Sequence, residues 1–185
     1  LQEGIGGVIL HGGTIQEIKN RCINLKSWSK KSILICADVE EGVGQRFEGA
    51  TWFVPPMALG LIYMKAPKEA LALAEQYGKT IGRQARSCGI NWVLAPVCDV
   101  NTNPKNPVIN MRAWGDEPQS VSKLVCAFNR GIVSQGILSC AKHFPGHGDT
   151  TIDSHLSLPV LDHNFSRLEE KELIPFKHLI SQGLN

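Results

Sequence analysis

The stretch KHFPGHGDTTIDSH, residues 142–155, gathers three of the chain's six histidines, two aspartates and a lysine. Pro145 and Gly146 rule out a helix through it, so its side chains are presented from a loop. Asp153 and His155 stand two apart, a spacing at which a local turn joins a carboxylate to an imidazole. A carboxylate that accepts from one ring nitrogen fixes the tautomer and leaves the other nitrogen to move a proton near neutral pH. The plainer alternative is a pair of polar contacts that only stitch the loop together. Metal binding is the rival chemistry, with His143, His147, Asp149, Asp153 and His155 as the potential ligands. His143 and His147 have the i,i+4 spacing of a helical zinc motif, but the intervening Pro145-Gly146 and the lack of an HExxH glutamate argue against it.

Three further segments bring charged groups into polar loops. In ICADVEEGVGQRF, Asp38 ends an apolar run, and Glu40, Glu41 and Arg46 follow in a glycine-bearing loop. Asp38 can accept hydrogen bonds from ligand hydroxyls, or it can cap loop amides and pair with Arg46. GVGQR lacks the GxGxxG arrangement of a phosphate cradle. In DVNTNPKNPVINMRAWGDEP, Arg112 can grip a ligand oxygen or join two loops through a carboxylate. Lys142 and His143 stand where another apolar run, GILSCAK, ends. No GxSxG occurs, and Ser139 or Cys140 inside a buried strand would lack a base, so nucleophilic serine or cysteine chemistry is a poor fit.

The elements that must position these groups alternate. Apolar runs at 7–10, 32–38, 90–96 and 136–142 read as strands covered on both faces. Helical patterns lie between them. Residues 14–26 form one, Ile15, Ile18, Cys22 and Leu25 marking its face. Pro67 opens the next, with Ala70, Ala74, Tyr77, Ile81 and Ala85 on one side. Pro118 opens a third, with Val121, Leu124, Val125, Phe128 and Ile132. Ser166 and Glu169 suggest a capping box for a last helix carrying Leu173, Phe176 and Ile180. Gly89, Gly136 and Gly183 suit the turns after helices. The irregular stretches 39–65, 97–117 and 143–165 each leave the carboxyl end of a strand. The rhythm predicts a parallel α/β fold, either an open doubly wound sheet or a (β/α)₈ barrel, with function gathered beyond the strand ends at Asp38, Asp99 and Lys142-His143. Four βα units make about half a barrel, so the chain is expected to be incomplete or to pair with something.

Composition narrows the class. Nineteen basic against seventeen acidic residues give a net charge of +2, and the bases are scattered, which argues against a nucleic-acid partner. No run of eighteen apolar residues argues against a membrane span. The six cysteines lie in apolar runs or helical patterns without a CxxC, which favours a reduced, cytoplasmic environment.

With these motifs in place, the sequence resembles the N-terminal barrel domain of glycoside hydrolase family 3, in its bacterial β-N-acetylglucosaminidase (β-hexosaminidase) branch. GGVIL, ADVEEGVGQRF, GINWVLAPVCDVNTNPKNPVINMRAWGDEP, AKHFPGHGDTTIDSHLSLP and ELIPFKHLISQGLN fall in the family's order and cover nearly the whole chain. KHFPGHGDTxxDSH is the specific motif, since β-glucosidase relatives keep the KH pair but differ in the following loop. The resemblance implies a TIM-type (β/α)₈ barrel, of which residues 1–185 are roughly the first half. It implies retaining, two-step hydrolysis of terminal non-reducing β-N-acetylglucosamine linkages, with no metal or organic cofactor and a role in peptidoglycan recycling. It assigns Asp38, Arg46, Arg112, Lys142 and His143 to the sugar pocket, His155 to the general acid/base and Asp153 to its partner. Glu41 stands in place of a glycine, and MRAWG in place of the usual Arg-Ser-Phe-Gly. The family's nucleophilic aspartate belongs to a strand beyond residue 185, which the second half of the barrel would supply. The alternatives are a β-glucosidase-like enzyme of the same family and a sugar-binding remnant that does not turn over.

Overall fold

The protein is described from a computed structural model, which covers residues 4–184. A short strand β1 (Gly7–Ile9) leads to helix α1 (Ile15–Trp28), and β2 (Leu34–Ala37) follows. The 39–65 stretch, expected to be irregular throughout, contains a helix, α2 (Pro56–Lys65), which runs into α3 (Pro67–Cys88). The chain continues through β3 (Trp92–Val93), α4 (Pro118–Val133), α5 (Phe165–Glu170) and α6 (Ile174–Ser181). None of the described helices is long and apolar enough to cross a membrane.

The strands pair in parallel in the order β1-β2-β3, with Val8 opposite Ile35 and Cys36 opposite Trp92. The fourth expected strand, 136–142, is an extended segment beside β3 instead of a continuous strand. Its parallel bridges join Trp92 to Leu138 and Val97 to Lys142. The β3 side therefore advances one residue more than its neighbour between the bridges, a bulge beside Pro96, which has no N–H to give the ladder. Hydrogen bonds resume beyond it, from Lys142 N to Pro96 O at 3.1 Å and Cys98 N to Lys142 O at 2.5 Å. The bulge sits directly under the Lys142-His143 pair.

Helix signals explain most of the rest. The capping box is at the first helix: Thr14 N donates to Glu17 Oε2 at 2.8 Å and Glu17 N to Thr14 Oγ1 at 3.3 Å. The one expected at Ser166 and Glu169 does not form, because Asn164 caps α5 by accepting from Arg167 N at 2.9 Å, and Glu169 instead pairs with Lys177 at 2.7 Å. The single last helix is two, since Pro175 cannot donate a helical hydrogen bond and its ring crowds the carbonyl four residues back. Pro175, Phe176 and Leu179 are buried in α6 and Leu173 just before it, while Ile180 is exposed.

The core lies between the sheet and helices α1, α3, α4 and α6, with Ile18, Ile35, Ile81, Phe128 and Leu179 fully buried. Helices α3 and α4 meet closely at two glycines. A Cβ on Gly78 would lie 2.1 Å from the Phe128 carbonyl oxygen, and one on Gly131 would lie 2.1 Å from that of Glu75. Trp114, from the loop after β3, is 1% exposed and packs 5.4 Å from the Phe128 ring. That contact ties the loop bearing Arg112 to the helical layer.

Candidate active site

Asp38 follows β2 directly, and Glu40 lies two residues on, 3% exposed. Lys142, at the end of the bulged segment, places Nζ 2.5 Å from Asp38 Oδ1 and 2.7 Å from Glu40 Oε1. Arg112, from a 3-10 turn at Asn110–Arg112, reaches the same Glu40 with Nε at 2.9 Å and Nη2 at 2.7 Å. Glu40 is therefore the shared anion of two cations. Burial opposes its ionisation, but the hydrogen bonds and charges of Arg112 and Lys142 outweigh that and hold its pKa down at about 2. Asp38 commits one oxygen to Lys142, and among the described residues the other has no partner.

Arg46 does not pair with the Asp38 carboxylate. Its Nε donates to the Asp38 carbonyl oxygen at 3.1 Å, so it braces the loop backbone instead. Arg112 takes the loop-joining role through Glu40, and it also lines the same cavity as Asp38.

His143 is steered from below by Asp99, which is fully buried. Asp99 Oδ2 lies 2.7 Å from His143 Nδ1, and its oxygens also accept from the backbone N–H of His143 at 3.2 Å and of His147 at 2.6 Å. This network assigns the proton to Nδ1 and turns Nε2 toward Arg112 Nη2, 3.4 Å away. Asp99 is thus committed to holding the KHFPGH turn. Asp116 lies against a separate cavity, among Met57, Leu61, Met64 and Trp114. His147 is buried, with Nδ1 hydrogen-bonded to Thr150 Oγ1 and Nε2 without a partner among the described residues.

Asp153 and His155 adopt the local turn their spacing allows. Asp153 Oδ1 accepts from the His155 backbone N–H at 2.9 Å and lies 2.7 Å from its Nδ1. These backbone and ring hydrogen bonds keep the Asp153 carboxyl below its ordinary pKa. The ring is 80% exposed, and its Nε2 has no partner among the described residues. His155 nevertheless borders the same cavity of about 420 Å³ as Asp38, Arg46, Arg112, Lys142, His143 and His147. All the residues singled out for sugar binding and proton transfer except Asp153 line this one cavity, and Asp153 holds the ring of His155. Glu40 and Asp99, not assigned roles from sequence, are the carboxylates that orient its bases.

The grouping of described residues that could hold a metal ion is different from the one considered from sequence. Asp149, His163 and Glu172 bring one donor atom each to within 4.8 Å of one another. Arg167 already occupies that space, its Nη2 lying 3.1 Å from Glu172 Oε1 and 3.5 Å from Asp149 Oδ2. The guanidinium supplies the positive charge there, so the cluster is an ion-pair network and not a ready cation site.

Comparison with known proteins agrees with the shape and the motifs. The chain is 39% identical, over 95% of its length, to beta-hexosaminidase A of Pseudoalteromonas piscicida, of which it covers 31%. It is 33% identical, over 98% of its length, to a beta-hexosaminidase of Nitrosomonas eutropha, of which it covers 53%. The crystal structure of NagZ from Neisseria gonorrhoeae in complex with N-trifluoroacetyl-D-glucosamine superposes with a TM-score of 0.90 at 32% identity, covering 97% of this chain and 54% of that one. The chain thus spans from about a third to about half the length of these relatives. Its parallel segments form part of a TIM-type barrel. A family model, the glycosyl hydrolase family 3 N-terminal domain, matches residues 1–185, and the chain belongs to that family.

Proposed function

We propose that the complete protein hydrolyses the bond between a terminal, non-reducing β-N-acetylglucosamine and its aglycone, with retention of configuration. The observation that carries this reading is the shared cavity: strand-end charges able to grip sugar hydroxyls line it together with an imidazole whose outer nitrogen has no partner among the described residues. The relatives named beta-hexosaminidase and the N-acylglucosamine ligand of the gonococcal NagZ structure support the sugar class.

In this reading Asp38 accepts from ring hydroxyls, while Lys142, Arg112 and the Nε2 of His143 meet the remaining sugar oxygens. Arg46 supports the loop. A carboxylate from outside residues 1–185 attacks the anomeric carbon as the C–O bond to the aglycone breaks. His155 Nε2 delivers a proton to the departing oxygen, and Asp153 stabilises the changing charge on the ring. Water, deprotonated by the same nitrogen, then releases the sugar from the enzyme carboxylate and restores the imidazolium. The implied setting is cytoplasmic recycling of peptidoglycan fragments.

The test is to offer the complete protein aryl β-N-acetylglucosaminides and aryl β-glucosides and to follow the first-formed anomer by proton NMR. Preferential release of β-N-acetylglucosamine supports the proposal. Preference for the glucoside would point to the β-glucosidase-like alternative, an α-anomer first product would exclude retention, and binding without turnover would indicate a sugar-binding remnant.

A further inference from the structure

Residues 151–162 carry the Asp153–His155 pair, yet they make no hydrogen bond to the rest of the described chain. Their backbone bonds, from Leu156 and Ser157 to the Asp153 carbonyl oxygen at 3.0 and 3.2 Å, are internal. Leu156, Leu158 and Val160 are each more than 75% exposed, so packing does little to hold them. Where His155 stands over the cavity is therefore decided at the two ends of the loop.

Both ends are tied. On the near side, Thr150 O accepts from Asn103 Nδ2 at 2.9 Å and from Asn106 Nδ2 at 3.2 Å. Asp149 then closes the loop onto its far side, with Oδ2 lying 2.7 Å from His163 Nε2. The clasp is backed by Arg167 in α5, which stands between Asp149 and Glu172, and Glu172 is 1% exposed at the foot of α6. The KHFPGH turn also presses on this point, since a Cβ on Gly146 would lie 2.8 Å from the Glu172 Cβ. Joined ends and a free tip make an Ω-loop, whose tip position follows the geometry of its base.

We propose that Asp149 and His163 are positioning residues for the reaction, clasping the Ω-loop so that His155 meets the aglycone oxygen; this rests on the proton-transfer role given to His155 above. Opening the clasp leaves the sugar pocket of Asp38, Arg112 and Lys142 in place and lets the proton donor wander.

The experiment uses the complete protein with His163→Ala, and Asp149→Asn as an isosteric second variant in case the first does not fold. For an alkyl β-N-acetylglucosaminide, whose leaving oxygen needs a proton, kcat/KM should fall about 10- to 100-fold, the scale of a displaced catalytic group. For a dinitrophenyl glycoside, which departs without one, kcat/KM should change by less than about 3-fold. His163→Arg, which offers the same carboxylate a charged donor, should recover most of the alkyl activity. Equal losses on both substrates, or no loss on either, would overturn the proposal while leaving the underlying activity standing. A wild-type protein that hydrolyses neither substrate would overturn that activity, and the positioning role with it.

Discussion

Both oxygens of Glu40 are held by cations, Oε1 by Lys142 and Arg112 together and Oε2 by Arg112, in surroundings that leave the side chain 3% exposed. Removing its charge leaves two bases without their shared partner. Glu40→Gln is expected to destabilise the complete protein by about 3 kcal/mol at pH 7, read by chemical denaturation. The folded-state pKa of about 2 lies below the ordinary carboxylate value of 4.5, so this stabilisation is complete above about pH 4.5 and is lost as pH falls toward 2. The gap between wild type and Glu40→Gln should close across that window; a gap unchanged down to pH 2 would contradict the pairing. Arg112→Lys keeps a charge but loses the two-pronged grip, and should raise KM about 10-fold with a smaller effect on kcat. That Asp38 and Lys142 would meet at one cavity was legible because both stand at the ends of neighbouring parallel segments. Glu40 was not, because its partners lie 72 residues away at Arg112 and still farther at Lys142, a proximity that only the fold creates. Asp99 was visible as a strand-end acid, but its commitment to His143 and His147 depends on a turn that places two backbone amides over it.

At the scale of elements, the strand–helix rhythm was readable because buried parallel strands and amphipathic α3 and α4 carry strong patterns. Helix α2 escaped notice since its apolar residues do not favour one face, and because Pro55 and Pro56 suggest a loop. It forms where Gly60 lets the helix approach the Trp114 backbone, a Cβ there falling 1.9 Å from the Trp114 carbonyl oxygen. The break between α5 and α6 places Arg167 and Glu172 side by side at the base of the His155 loop. The α3–α4 crossing is similarly intolerant. Gly78→Ala should destabilise the protein by about 1–3 kcal/mol through overpacking against Phe128, measured as a lowered Tm. An unchanged Tm would mean that the two helices separate easily, and with them the anchorage of the Arg112 loop through Trp114.

At the scale of the molecule, β1 pairs among the described residues only with β2, and the 136–142 segment only with β3 and the stretch that follows it to Val97. A barrel closes when such edges find further strands, and the relatives are longer by the amount that would supply them. Residues 1–185 expressed alone should therefore hydrolyse an aryl β-N-acetylglucosaminide at least ~10,000-fold more slowly than the complete protein, the scale of losing a member of a catalytic set. Comparable rates would place the attacking carboxylate within these residues.

The most direct measurement is the dependence of kcat/KM on leaving-group pKa in the complete protein, before and after His155→Ala. Loss of a proton donor aimed at the bridging oxygen should slow alkyl aglycones by ~100- to 10,000-fold and leave dinitrophenyl glycosides nearly untouched, so that the plot steepens sharply. A variant that loses the same factor on every aglycone, with the slope unchanged, would show that His155 does not deliver the proton.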